Sequence, residues 1–287
     1  MYKKVKDILN MIKFEHTIFA LPFAFIGAFI GSIITYGEIP SIYTIFWITV
    51  AMVGARSAAM ALNRLIDRSI DAVNPRTANR EIPAGKISVR DVLIFTVISF
   101  AILFFAAYQL NSLAIKLLPI AVFVLVLYSY TKRFTWLCHV VLGAAIGLAP
   151  LGGWVGATGT LPAEAWIIFV TVTLWTAGFD IIYACQDFEF DKMRKLHSIP
   201  VRFGIKKALL SARIMHGITA ILLFSWLLVY PLSWWYAIGA FIANLILHYE
   251  HTLVKHDDLS KLNTAFFTMN GILSVVVFTF TLLDILL

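Results

Sequence analysis

Residues 41–71 read SIYTIFWITVAMVGARSAAMALNRLIDRSID, and this stretch decides the fold. Its first part, residues 41–62, is apolar apart from Arg56 and a few hydroxyls. About 20 such residues cross the roughly 30 Å hydrocarbon layer of a bilayer as a helix. The last nine residues then gather an Asn, two Arg and two Asp where the span ends.

Outward from that stretch the same apolar pattern recurs. The 287 residues are 60% hydrophobic and 14% charged, against about 25% charged in an ordinary soluble domain. Nine apolar segments have spanning length, at approximately 17–36, 41–62, 89–109, 113–131, 137–157, 163–184, 208–230, 234–250 and 264–286. The expected fold is therefore all-α, an integral membrane bundle of nine transmembrane helices forming one membrane-embedded domain over residues 1–287. The first segment is longer than a signal-peptide core and a second span follows it, so it reads as a retained helix. Residues 1–15, with Lys3, Lys4, Lys6 and Lys13 among apolar positions, read as a helix on the membrane surface. Cys138 and Cys185 lack metal-type spacing and are expected as free thiols.

Charge orients the bundle. With the amino terminus in the cytoplasm, the cytoplasmic segments carry four, six, two, seven and two basic residues in turn, 21 of the 23 Lys and Arg. The opposite loops YGEIPS, GTLPAE and YPLS carry none. The positive-inside rule gives an N-in, C-out topology, and the net charge of +7 then needs no acidic partner; no nucleic-acid pattern is present. Lys116 lies near a span end, where its long side chain reaches the interface. Arg56 lies within a span, and an intramembrane Arg marks a functional site by default.

A second acidic cluster, DIIYACQDFEFD at 180–191, stands where the sixth span emerges on the same side. At 100° per residue, Asn63, Asp67 and Asp71 fall within about 80° of one another on a helix. Tyr183, Asp187 and Asp191 repeat that spacing, and Asp180 lies about 20° from the direction of Asp187. Such oxygen-only ladders repel themselves unless cations neutralise them, and without clustered His or Cys they suit a hard ion such as Mg²⁺, held through carboxylates and substrate phosphates. Each ladder is followed by a basic loop, NPRTANREIPAGK with Arg76, Arg80 and Lys86, and KMRKLHSIPVRFGIKK with Lys192, Arg194, Lys195 and Arg202. Acid ladder, basic loop, Ile-Pro, Gly and Lys thus occur twice. Spans 1–4 and 5–8 read as two divergent four-helix repeats plus one added helix, with the site between spans 2 and 6.

These motifs resemble the UbiA superfamily of intramembrane aromatic prenyltransferases, in the branch that acts on 4-hydroxybenzoate. NRLIDRSID is similar to its first acidic motif and DIIYACQDFEFD to its second; RTANREIPAGK and YSYTKRFTWLCHVVLGAAIGLAP resemble the loop and hairpin between them. The resemblance implies a Mg²⁺-dependent enzyme that moves a polyprenyl group from a polyprenyl diphosphate to an aromatic acid in quinone biosynthesis. It implies that Asn63, Asp67 and Asp71 hold one Mg²⁺, and that Asp187 and Asp191 hold the second. It further implies that Arg76, Lys132 and Arg133 bind the diphosphate and that Arg56 holds the carboxylate of the acid, with Asp180, Tyr183 and Arg80 as further cavity residues. Arg56 lies about 20° from Asn63 around the helix and roughly 10 Å deeper, so the two share a cavity.

The expected acceptor is 4-hydroxybenzoate, with dihydroxynaphthoate-type acids of menaquinone biosynthesis as the alternative. The expected setting is a prokaryotic plasma membrane with the site toward the cytoplasm. Asp191 is a candidate proton acceptor. Phe19, Phe23, Phe25, Tyr128, Phe179 and Tyr183 are candidates to stabilise an allylic cation. His16 and His139 read as interfacial or packing residues, and Gly27 with Gly31 and Gly143 with Gly147 as close-packing positions. A divalent-cation or metabolite transporter also uses repeats and intramembrane charge, but places its ligands near the bilayer midplane; here the acids lie at one edge. Lipid phosphoalcohol transfer requires a glycine-rich Asp motif that this chain lacks.

Overall fold

The computed structural model describes residues 2–13 and 17–287, with side chains from 4–13 and 21–287. The expectations for His16 and for the ring of Phe19 lie outside the described residues. Among these residues the fold is all-helical; one isolated bridge, Lys255 to Asp258, is the sole extended pairing. In chain order the α-helices are α1 (Tyr2–Met11), α2 (Thr17–Tyr36), α3 (Ile42–Asp71), α4 (Val89–Leu110), α5 (Ser112–Thr131), α6 (Cys138–Thr158) and α7 (Ala165–Ala184). They continue with the short α8 (Phe188–Met193) and α9 (Ile199–Phe203), then α10 (Ile205–Val229), α11 (Trp234–Leu253) and α12 (Asn270–Leu286), the last preceded by a π-helical segment, Thr264–Met269.

Seven of these helical stretches are long and apolar enough to cross a membrane. In α2 the described apolar stretch is the shorter Leu21–Tyr36. α11 carries Asn244, His248, Glu250 and His251 within its length. Large apolar side chains such as Val97, Phe105, Phe123, Ile221 and Leu228 are exposed on the outside of the bundle. That surface suits lipid rather than water.

Each long helix packs on the next, from α2 through α7 to α10, α11 and α12, and α12 closes the ring on α2. α2 and α6 meet across its middle. Glycine makes that crossing possible: a Cβ at Gly27 would run into the Pro150 backbone, and one at Gly153 into that of Ala24. Gly143 lies equally close to the Thr173 carbonyl, so α6 is pressed against α7 as well. Around these contacts Phe23, Ile26, Trp154, Trp175, Leu223, Trp226 and Tyr236 form the main core.

The polar loops separate by end. Tyr36 donates to the Thr158 carbonyl at 2.9 Å, Tyr230 to that of Glu164 at 2.7 Å, and Asn111 to that of Val155 at 2.7 Å. These bonds tie together the end bearing the loops without Lys or Arg. The acidic motifs lie at the other end. There α1 is docked to protein: Met11 and Ile12 are buried with Ala61, Leu65, Ile87 and Val92, and Lys4 pairs with Asp91 at 2.6 Å.

Candidate active site

α3 continues unbroken through the first acidic motif. Ser41 caps its start by accepting from the Thr44 N–H at 3.1 Å, and thirty residues follow without a Pro or a second cap. Asn63 and Asp67 therefore share a face, and the Asn63 amide donates to Asp67 Oδ2 at 3.1 Å.

The second motif departs from the expected ladder. α7 ends at Ala184, a single 3₁₀ turn covers Cys185–Asp187, and α8 resumes at Phe188. A 3₁₀ turn advances about 120° per residue instead of 100°, so residues 180–191 do not present one continuous face. Tyr183 and Asp187 still share a partner, but Asp191 and Asp180 turn to others.

Asp67, Asp71, Asp187 and Asp191 are each met by a separate cation from the adjoining loops. Arg76 holds Asp187 with two bonds, Nε to Oδ1 at 3.0 Å and Nη2 to Oδ2 at 2.6 Å, while its Nη1 donates to the Tyr183 hydroxyl at 3.2 Å. Asn74 adds a contact to Asp187 Oδ1 at 3.3 Å. Arg80 reaches both oxygens of Asp71 at 2.8 Å, and Arg133 reaches Asp67 at 2.8 Å. Lys132 Nζ stands 2.9 Å from Oδ2 of the fully buried Asp191, whose oxygens accept no hydrogen bond of good geometry. Burial works against the charge of Lys132, but the neighbouring anions, Asp191 first and Asp187 after it, together outweigh burial and hold the ammonium above its ordinary pKa. Burial opposes the Arg76 charge too, and is outweighed by its bonds to Asp187.

Lys132 and Arg133 follow directly on α5, and their loop is tied to the second motif through the His197 N–H, which donates to the Lys132 carbonyl at 2.8 Å. The mutual repulsion anticipated for the carboxylates is thus quenched by the chain's own cations. Among the described residues no three His, Cys, Asp or Glu stand close enough to share a metal ion.

Asp180 is held elsewhere, at 2.7 Å from Nδ1 of His139 on α6. The Ile199 N–H donates to the other ring nitrogen at 3.3 Å, so the proton sits on Nδ1 and points at Asp180. His139 is therefore a buried link between α6, α7 and α9. From sequence it reads only as an interfacial or packing residue, because its partner is 41 residues away and no local spacing announces the pair.

From below the ionic end an apolar cavity of about 400 Å³ extends between α3, α4, α5 and α6 toward the opposite end of the bundle. Its walls run from Arg56 and Tyr128 to Leu161 and Trp166, and Arg56 is the one charged residue among them. Of the aromatic candidates, Tyr128 lines this cavity and Tyr183 meets Arg76. Phe23 is buried against Trp175, with ring centroids 4.9 Å apart, and Phe25 packs toward Phe278. Phe179 meets Trp175 and Phe266 edge to face.

A ring of long apolar helices with acids and bases gathered at one end, and a greasy cavity beside them, defines a membrane protein that handles amphiphiles with anionic heads. The chain belongs to the UbiA prenyltransferase family, whose family model matches residues 22–272. Among its relatives is a protein named 4-hydroxybenzoate octaprenyltransferase from Vesicomyosocius okutanii subsp. Calyptogena okutanii (strain HA), 31% identical over 227 residues, which are 76% of this chain and 80% of that one. The apo structure of a UbiA homolog from Aeropyrum pernix K1 matches with a TM-score of 0.86 and 30% identity, covering 94% of this chain and 98% of the other. A UbiA homolog from Archaeoglobus fulgidus, solved bound to GPP and Mg²⁺, matches with a TM-score of 0.72 and 21% identity over 98% of this chain and all of that one, a likeness of fold.

Proposed function

We propose that the chain, as one membrane-embedded domain, transfers a polyprenyl group from a polyprenyl diphosphate to the ring of 4-hydroxybenzoate, a step of ubiquinone biosynthesis. The observation that carries this reading is the meeting of both acidic motifs with Arg76, Arg80, Lys132 and Arg133 at one end of the bundle, beside an apolar cavity. The names of the relatives support 4-hydroxybenzoate as the acceptor.

Asn63, Asp67 and Asp71 are the residues to hold one Mg²⁺, and Asp187 and Asp191 the second. The donors fit a hard cation in kind, being all oxygen, and the buried Asp191 carboxylate has Lys132 beside it at 2.9 Å but no hydrogen bond of good geometry. When bound, such ions neutralise the charge that grows on the diphosphate as the allylic C–O bond breaks. The guanidinium and ammonium groups that now hold the carboxylates are the cations available to the diphosphate oxygens, and they stabilise the same developing charge.

The cavity receives the prenyl tail and keeps water from the allylic cation, and the rings of Tyr128 in its wall and Tyr183 beside Arg76 are available to stabilise that cation. Arg56 clamps the carboxylate of the acid, whose planar anion matches a guanidinium fork. The ring carbon beside the phenolic hydroxyl attacks, and Asp191 takes the proton released.

The distribution of Lys and Arg supports nine spans with an N-in, C-out course and the ionic end toward the cytoplasm of a bacterial inner membrane. Incubating membranes that contain the protein with a labelled polyprenyl diphosphate and a panel of aromatic acids tests the reaction. Prenylated 4-hydroxybenzoate is expected, and EDTA is expected to abolish its formation. Label on a different acid, or on none, rejects the acceptor.

A further inference from the structure

Trp175, His216, Glu250, His251 and Asn270 form a buried polar network that takes no part in the steps above. A polar side chain inside an apolar bundle is costly unless its bonds are made, and Glu250 is fully buried. Asn270 is the knot. Its amide nitrogen donates to Glu250 Oε1 at 3.1 Å and to the carbonyls of Ala265 at 3.1 Å and Phe266 at 3.0 Å, while its oxygen accepts from Trp175 Nε1 at 2.7 Å.

Glu250 is flanked in turn by His216, with Nδ1 3.7 Å from Oε2. The His216 Nε2–H donates to the Trp175 carbonyl at 3.1 Å, so Nδ1 accepts from His251 at 3.0 Å. A Cβ at Gly178 would overlap the His216 ring, which packs close against α7 there. Four helices are joined through these bonds.

What the knot fastens is the π-helical segment Thr264–Met269. A π turn displaces the usual carbonyl partners, is rare, and occurs mostly at functional sites. Asn270 bonds two of its carbonyls, and the turn delivers Phe266 and Phe267 to the active site. Phe266 stacks on Tyr183 with centroids 4.0 Å apart and planes at 28°, and Phe267 meets Tyr183 edge-on at 5.9 Å. The Arg76 guanidinium carbon lies over the same Tyr183 ring, 5.4 Å from its centroid, while its nitrogens hold Asp187.

We infer that Asn270 is a positioning residue for prenyl transfer: fixed by Glu250 and Trp175, it holds the π turn that places Phe266 against Tyr183 and thereby sets Arg76 on Asp187. The inference rests on the reaction proposed above, so its test includes a readout that needs no turnover. Full-length protein carrying 3-fluorotyrosine at position 183, without substrate, gives a ¹⁹F resonance sensitive to the stacked ring. Asn270→Leu is expected to shift that resonance as Phe266→Leu does. Glu250→Gln is expected to leave it unchanged, because a Gln oxygen still accepts from Asn270.

In transfer assays Asn270→Leu is expected to lower kcat about tenfold to 100-fold, the scale of an ångström-sized misplacement, with KM for 4-hydroxybenzoate unchanged. Combined with Tyr183→Phe it should lose less than the product of the single effects, since coupled residues are not additive. An unmoved resonance in Asn270→Leu overturns the inference. So does a Glu250→Gln protein as impaired as Asn270→Leu, or two effects that simply multiply. If Asn270→Leu does not fold, Phe266→Leu decides, because it removes the ring and leaves the knot; wild-type kcat in that variant overturns the inference. A wild-type protein without transfer activity defeats the proposed reaction instead, and the resonance still decides the positioning.

Discussion

Asp187 combines what one residue at this site does: it accepts from Arg76 and Asn74 in a mostly buried position at the break of a helix. Asp187→Ala and Asp67→Ala are each expected to lower turnover about 100-fold or more, the scale seen when one preorganised charge partner is removed. Both proteins should stay folded, because the Arg76 and Arg133 side chains are about a third exposed and water takes up the cation that is left over. Turnover measured beside thermal unfolding in detergent checks this; full activity at limiting Mg²⁺ in either variant rejects the two-ion assignment. Arg56 presents the opposite case, in an apolar wall. Arg56→Ala is expected to cost about 2 to 4 kcal/mol toward the acid, roughly a 30-fold to 1000-fold drop in kcat/KM, because the carboxylate then lacks its partner. Donor KM should hold nearly constant, and an amide analogue of the acid should no longer be discriminated against. Lost donor binding with an intact acid-to-amide preference places Arg56 with the diphosphate-binding residues.

At the scale of the element, α3 and α7 carry similar spacings and differ in outcome. The first motif was legible because apolar span and i, i+4 spacing agree with one continuous helix. In the second, the Asp spacing gave no sign of the 3₁₀ turn at Cys185–Asp187. That turn answers to tertiary demands, with Arg76 pulling on Asp187 and Lys132 on Asp191 from two different loops. The small-residue spacing on α2 and α6 did point to close packing, and the structure adds the partners. Gly27→Ala is expected to destabilise the protein by about 1 to 3 kcal/mol or more, since its methyl group meets rigid Pro150 backbone and α2 must shift away from α6. A lowered midpoint in thermal unfolding checks it, and an unchanged midpoint denies the crossing its importance.

For the whole molecule, the division of the bundle into an ionic end and an end whose loops lack Lys and Arg predicts the sidedness of the site. Single Cys residues at Asn79 and at Glu38, both exposed, in a protein lacking Cys138 and Cys185, should react with an impermeant thiol reagent from opposite sides of the membrane. Labelling of both from one side overturns the proposed course. The sequence by itself determined the all-helical apolar bundle and the gathering of its acids into two motifs, because hydrophobic length and i, i+4 spacing act within one segment. Tertiary structure alone decided which cation holds which acid, the pairing of His139 with Asp180, and the network around Asn270. Most of those bonds join residues distant in the chain, 41 positions for His139 with Asp180, 95 for Trp175 with Asn270 and 111 for Arg76 with Asp187, and a partner met across a bundle leaves no periodic mark on the chain that carries it.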